Sequence, residues 1–171
     1  MPNWTTNKLK ITRNPYALER KSTFSDIAEF VKGMDGCFDF NKVVPKPDGV
    51  DWYSWCRTKW GTKWNAYQAR VTEYESFLVY EFLTAWSPPL PVIQALSGIF
   101  HGFIFDIVFF SEDFGADVGR FVFCNGEGTT VEAPEDFSNK AYEMIEKHFP
   151  GTVEEREYAL NPDTGKYEYT E

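Results

Sequence analysis

The chain of 171 residues has only two histidines, His101 and His148, and three cysteines, Cys37, Cys56 and Cys124. An odd cysteine count without a CxxC pair argues against a disulfide framework or a zinc site and leaves reduced thiols as the expectation. The longest apolar stretch, Phe103 to Phe110, is interrupted by Asp106 and falls far below the roughly 20 residues a membrane helix needs. The N-terminal Met-Pro-Asn-Trp-Thr-Thr-Asn-Lys lacks the apolar core of a signal peptide. A soluble, cytosolic chain with no membrane association is expected. No GxSxG, phosphate-loop, dinucleotide-binding or HExxH pattern occurs. The chain is therefore read as a non-enzyme, with no catalytic residues, no metal and no cofactor.

Positive charge is also scarce. There are 17 Lys and Arg against 26 Asp and Glu, a formal charge of −9, which disfavours generic coating of nucleic acid or anionic membrane. The deficit is uneven. Residues 1–70 carry 12 basic and 7 acidic side chains, residues 71–131 carry 1 and 8, and residues 132–171 carry 4 and 11. Such asymmetry within one chain hints at a binding surface; its bland counterpart is two differently solvated sides of one domain. What the chain has in plenty is aromatic: 16 Phe, 9 Tyr and 6 Trp, enough to build a core and to exclude disorder despite the acidity.

Hydrophobic spacing organises the rest. Lys8 to Thr12 alternates as a half-buried strand. Thr23 with Asp26 opens a helix as a capping box, with Phe24, Ile27, Ala28 and Val31 on one face and Gly33 as its stop. Residues 38–44 read as extended and 51–59 as a short helix. Residues 69–73 and 77–86 read as a hairpin, with Leu78, Tyr80, Phe82 and Trp86 on one face. Pro91 suits a helix start, and Phe103 to Phe110 is the strongest strand. Residues 120–124 and 129–132 flank an Asn125–Gly128 turn. Pro134 opens a helix carrying Phe137, Ala141, Met144, Ile145 and His148; the His148 position near its C-terminus favours a cation. Residues 155–160 and 166–169 bracket a final turn. The order predicts an α+β fold, a ferredoxin-like split βαβ sandwich with a mostly antiparallel sheet and helices on one face. It spans residues 1–132, followed by an acidic helix and hairpin over 133–171.

Two motif regions invite function. Between Trp52 and Trp64, the tryptophans 52, 55, 60 and 64 interleave with Arg57, Lys59 and Lys63. Stacking platforms beside cations suit single-stranded nucleic acid, while the same residues also suit an indole cluster closing the core, with lysine stems across the rings. Thr84-Ala85-Trp86-Ser87-Pro88-Pro89 reads as a rigid corner. Phe103-Ile104-Phe105 and Gly119 to Phe123 are similar to the strands of RNA-recognition folds but lack the full motif, so core packing is their expected role. The acidic loop Ser111-Glu112-Asp113 with Asp117 matches no metal-ligand spacing.

Met1-Pro2-Asn3-Trp4 with Asn7, the Trp60-Gly61-Thr62-Lys63-Trp64-Asn65-Ala66 run, the Thr84 to Pro89 run with Pro91, the Phe38 to Pro45 segment and Gly119 together resemble the YubB-type ferredoxin-like domain family of phages, prophages and plasmids. The resemblance covers residue 1 to about 130 and leaves residues 133–171 outside. Thr5 stands where that family usually has Cys, Asn65 where Asp is common, and Leu83 where an acid is frequent. The resemblance implies the fold and a mobile-element setting, and supplies no catalytic residues. It directs the functional expectation to an accessory protein in the host cytoplasm that binds a host protein, such as a defence or nucleic-acid-binding factor. An acidic surface including Glu112, Asp113, Asp117, Glu154 and Glu155 would meet a basic groove on that partner. The alternative is nucleic-acid binding through Trp52, Trp55, Arg57, Lys59, Trp60, Lys63 and Trp64.

Overall fold

The computed structural model describes residues 3–18, 21–34 and 36–170; Met1 and Pro2 of the N-terminal motif lie outside them. One six-stranded antiparallel sheet organises the chain, in the order β2-β3-β1-β4-β5-β6. Its strands are β1 (Trp4–Arg13), β2 (Tyr67–Glu73), β3 (Phe77–Ala85), β4 (Phe103–Ser111), β5 (Gly119–Cys124) and β6 (Glu127–Glu132). Between β1 and β2 run helices α1 (Phe24–Val31), α2 (Phe40–Val43) and α3 (Trp52–Lys59), and α4 (Leu90–Ile99) joins β3 to β4. Each crossover skips one strand, so β3 lies between β1 and β2, and β1 lies between β3 and β4. That is the split βαβ arrangement of a ferredoxin-like fold, widened by the β5–β6 hairpin.

Period-2 side-chain alternation decides which residues face the helices. Leu9, Ile11, Leu78, Tyr80, Phe105 and Ile107 line that face and bury against Ile27, Val31, Phe40, Trp60, Val92 and Leu96. Phe103 and Phe123 join the same core, so the RNA-recognition-like strands serve packing, as expected. The other face of β4 presents Val108 and Phe110 to a third layer, α5 (Asn139–His148), through Ala141, Tyr142 and Ile145. Cover on both sides explains why β4 reads almost wholly apolar, with Asp106 held by the Arg120 guanidinium at 2.7 Å. After α5 come α6 (Thr152–Glu155) and a separate hairpin, β7 (Tyr158–Asn161) with β8 (Lys166–Tyr169).

Local signals worked where a cap was local. The Thr23 hydroxyl accepts from the Asp26 N–H at 3.2 Å, and the Asp26 carboxylate accepts from the Thr23 N–H at 2.6 Å and the Thr23 hydroxyl at 2.8 Å, two bonds that hold its carboxyl below its ordinary value. Several expectations fail. Residues 40–43 are helical, because Asp39 caps Asn41 at 2.9 Å and Asn65, distant in sequence, accepts from the Phe40 N–H at 2.8 Å. The helix expected from Pro134 starts at Asn139 with Ser138 as its cap, and Phe137 has left-handed backbone (φ 58°) and is exposed. Residues 152–155 form α6, and the strand begins only at Tyr158. The carbonyl of His148, at the end of α5, accepts from the Lys8 ammonium at 3.0 Å, so Lys8 supplies the cation. Burial first, then Arg120 and Lys147, pushes the His148 imidazole below its ordinary pKa, against Asp106 and Glu132.

Candidate functional site

Two of the motif runs fold into one corner. The Thr62 hydroxyl donates to the Ala85 carbonyl at 2.8 Å, and the Ser87 hydroxyl donates to the Gly61 carbonyl at 2.6 Å. The Thr84 hydroxyl donates to the Ser87 carbonyl at 2.8 Å while accepting from the buried Asn7 amide at 2.9 Å. These bonds hold Trp86 at φ 72°, a left-handed conformation that a bulky residue adopts only when its surroundings over-determine it. Trp86 thus leaves the face it was expected to share with Leu78, Tyr80 and Phe82, and 43% of it stays exposed. Gly61 is required at its own position: φ is 77°, and a Cβ there would lie 2.6 Å from the Pro91 Cδ. The Asn65 amide donates to the Asp39 carboxylate at 2.7 Å, a bond an ionised carboxylate at this position could not make.

The Trp52–Trp64 segment divides between the two expected roles. Trp60 is buried and its indole N–H donates to the Val44 carbonyl at 2.9 Å; Trp55 is half-buried against it. Trp52 and Trp64 are 47% and 37% exposed, and Arg57 and Lys59 are exposed on α3. Six rings form a belt in two groups of three: Trp52, Tyr53 and Trp86, then Trp64, Trp4 and Tyr67. Adjacent centroids lie 5.1–6.5 Å apart, except at the gap between Trp86 and Trp64, which the Lys63 ammonium bridges, 4.8 Å from one ring and 5.0 Å from the other. Trp4, Tyr53, Tyr67 and Trp86 were absent from the expected site. Trp4 and Trp86 stand in the runs that carry the family resemblance and Tyr53 lies within the Trp52–Trp64 segment, but only the fold brings these rings together with Tyr67.

The acidic candidates gather at the β4–β5 end. Phe114, within the 112–117 loop, packs on Tyr142 and Tyr158 at 5.7 and 5.2 Å between centroids, and the Arg156 guanidinium lies over its ring at 5.9 Å. Arg156 and Tyr158 follow α6 directly, so the loop carrying Asp113 and Asp117 lies alongside the helix carrying Glu154 and Glu155; all four are exposed. Glu112 departs from this group, because its carboxylate accepts from the Trp4 N–H at 2.9 Å. Asp136 joins the group unforeseen: its carboxylate accepts from the Asp117 N–H at 2.9 Å. Among the described residues no cluster of three or more His, Cys, Asp or Glu is placed to hold a metal, and all three cysteines are free. Burial pushes the Cys37 and Cys56 thiols upward. No helix among the described residues is long and apolar enough to cross a membrane.

A family model for the ferredoxin-like domain in Api92-like protein matches residues 59–150, more than half of the chain. The chain belongs to this family. The match takes in the Trp60–Ala66 and Thr84–Pro91 runs, the 112–117 loop and α5, so it reaches beyond residue 132, and it stops before Glu154 and Glu155. Trp52, Trp55 and Arg57 precede it. A crystal structure of a protein api92 from Yersinia pseudotuberculosis is similar over 56% of this chain and 40% of that chain, at 14% identity and a TM-score of 0.46. The chain therefore spans less than half the length of that protein. No curated protein matches.

Proposed function

We propose that this protein acts by binding, as a non-enzymatic accessory protein of a phage or plasmid, and that its acidic surface docks on a basic host protein in the host cytoplasm, a defence or nucleic-acid-handling factor. One observation carries the reading: the loop carrying Asp113 and Asp117 packs through Phe114 on Arg156 and Tyr158, which follow the helix carrying Glu154 and Glu155, and all four carboxyl residues are exposed. Charge clustered this way steers and selects a basic partner. The mobile-element setting rests on the resemblance of the Trp60–Ala66 and Thr84–Pro89 runs. The test compares retention of host proteins on the wild type and on Asp113→Asn/Asp117→Asn/Glu154→Gln/Glu155→Gln, over a salt series. Retention of a discrete partner, weakened by salt and lost in the variant, supports the reading. Equal retention by both proteins contradicts it.

The six-ring belt with Lys63 favours a second reading, single-stranded nucleic acid held by stacking. It expects salt-sensitive mobility shifts with single-stranded DNA or RNA that Trp52→Ala/Trp64→Ala abolishes. Absence of a shift at low salt removes it.

A further inference from the structure

A groove of about 340 Å³ runs between the Trp86 corner, the β4–β5 end of the sheet and the 133–136 loop. Trp86, Pro88, Phe121 and Pro134 form its apolar walls, and Asp117 and Asp136 line it too. Each wall has a local cause. The Asn7–Thr84–Ser87 bonds fix Trp86 in its left-handed turn. Gly119 admits the Phe109 ring, which a Cβ at that position would meet at 2.6 Å, and Phe109 stacks on Phe121 with centroids 6.0 Å apart. The Asp117 backbone N–H donates to the Asp136 carboxylate at 2.9 Å and joins the two loops. Among the described residues no Lys or Arg forms an ion pair with either. Preformed apolar walls with a few placed polar groups are the usual make-up of a ligand cleft.

We infer that this groove receives a short peptide segment of a partner in which an apolar side chain is flanked by arginine or lysine. The apolar group would enter between Trp86 and Phe121, and the cation would meet Asp117 and Asp136. Charge complementarity selects this occupant: two carboxylates with no ion-pair partner among the described residues, on a chain of net charge −9, repel acidic segments and nucleic acid. The inference rests on the acidic-surface reading for the sign of its partner, and it adds a defined apolar anchor.

The test titrates isotope-labelled full-length protein with acetyl-Arg-Phe-Arg-amide, using acetyl-Glu-Phe-Glu-amide, acetyl-Arg-Gly-Arg-amide and a single-stranded DNA oligonucleotide as comparisons. The expected result is saturable shifts at the Trp86 indole, the Gly119 amide and Phe121 with the first peptide, at least fivefold weaker with each comparison. Asp117→Asn/Asp136→Asn should weaken binding at least fivefold. Asparagine tolerates the left-handed backbone of Asp117 (φ 49°) and keeps an acceptor for the Asp117 N–H, so this variant stays folded. Trp86→Ala, checked for fold by circular dichroism, should abolish the shifts. Unchanged groove resonances, equal binding of the glutamate peptide or the oligonucleotide, or full binding by the double variant overturns the inference. If the peptide binds while host capture is indifferent to the four acidic residues, the wider reading falls and the groove stands. If host capture depends on charge while the peptide leaves the groove unmoved, the groove alone falls.

Discussion

The aromatic corner and the acidic end are both built on rings, yet they use their polar groups in opposite ways. At the corner, polar groups face inward. Thr62, Thr84, Ser87 and Asn7 spend their hydroxyls and amide on backbone carbonyls and on one another, and Asn65 and Asp39 join two loops. At the acidic end the inward side is a stack of Phe114, Tyr142, Tyr158 and Tyr167, and the carboxylates of Asp113, Asp117, Glu154 and Glu155 stand outside it, exposed. Polar groups that satisfy buried carbonyls are costly to remove, whereas exposed carboxylates outside any bond network cost the fold almost nothing. The corner's motifs thus secure shape, whereas the carboxylates of the acidic end are left unused by the fold.

Mutations at the two regions should separate by size. Gly61→Ala places a Cβ against Pro91 in left-handed backbone and should lower unfolding free energy by about 2–4 kcal/mol, measured by urea denaturation. Thr62→Val keeps the shape, removes the donor to the Ala85 carbonyl and should cost about 1–2 kcal/mol. A near-neutral result at either position would show that the corner is not what holds the Trp86 turn.

His148 offers a smaller, pH-dependent probe of the α5 layer. Its folded pKa lies below its ordinary value of 6.5, so the unfolded chain takes up the proton first. Its contribution to stability is complete above pH 6.5 and is lost as pH falls through the lower, folded value. Arg120 and Lys147 oppose the proton while Asp106 and Glu132 favour it. The drop in Tm between pH 7 and pH 5 should therefore be smaller in His148→Gln than in the wild type. An equal drop in both would place the pH sensitivity elsewhere. The smallest effect belongs to the acidic end: Asp113→Asn/Asp117→Asn/Glu154→Gln/Glu155→Gln should change unfolding free energy by less than about 0.5 kcal/mol. A larger loss would give those carboxylates a structural role and undo the contrast.

How much of this was legible in the sequence follows from the range of each determinant. The α1 start was readable because its cap lies within four residues, and β4 was readable from its apolar run. Helix α2 was not, because Asn65 holds its first N–H from 25 positions away. Proline at 134 suggested a helix that Ser138 begins instead, since the Phe137 N–H is engaged by the Gly115 carbonyl at 2.8 Å. The candidate residues Asp113, Asp117, Glu154 and Glu155 were nameable from charge alone. Their juxtaposition was not, because it depends on Phe114 meeting Tyr158. The Trp86 turn was equally hidden, since nothing in a Thr-Ala-Trp-Ser run announces left-handed backbone at the tryptophan.

Carboxyl footprinting of the protein in host extract, read residue by residue by mass spectrometry, tests the division most directly. Carbodiimide labelling should fall at Asp113, Asp117, Glu154 and Glu155 when a partner is bound, and stay unchanged at Asp48 and Asp51 beside the tryptophan helix. Protection of Asp48 and Asp51 with the acidic end still open would contradict it.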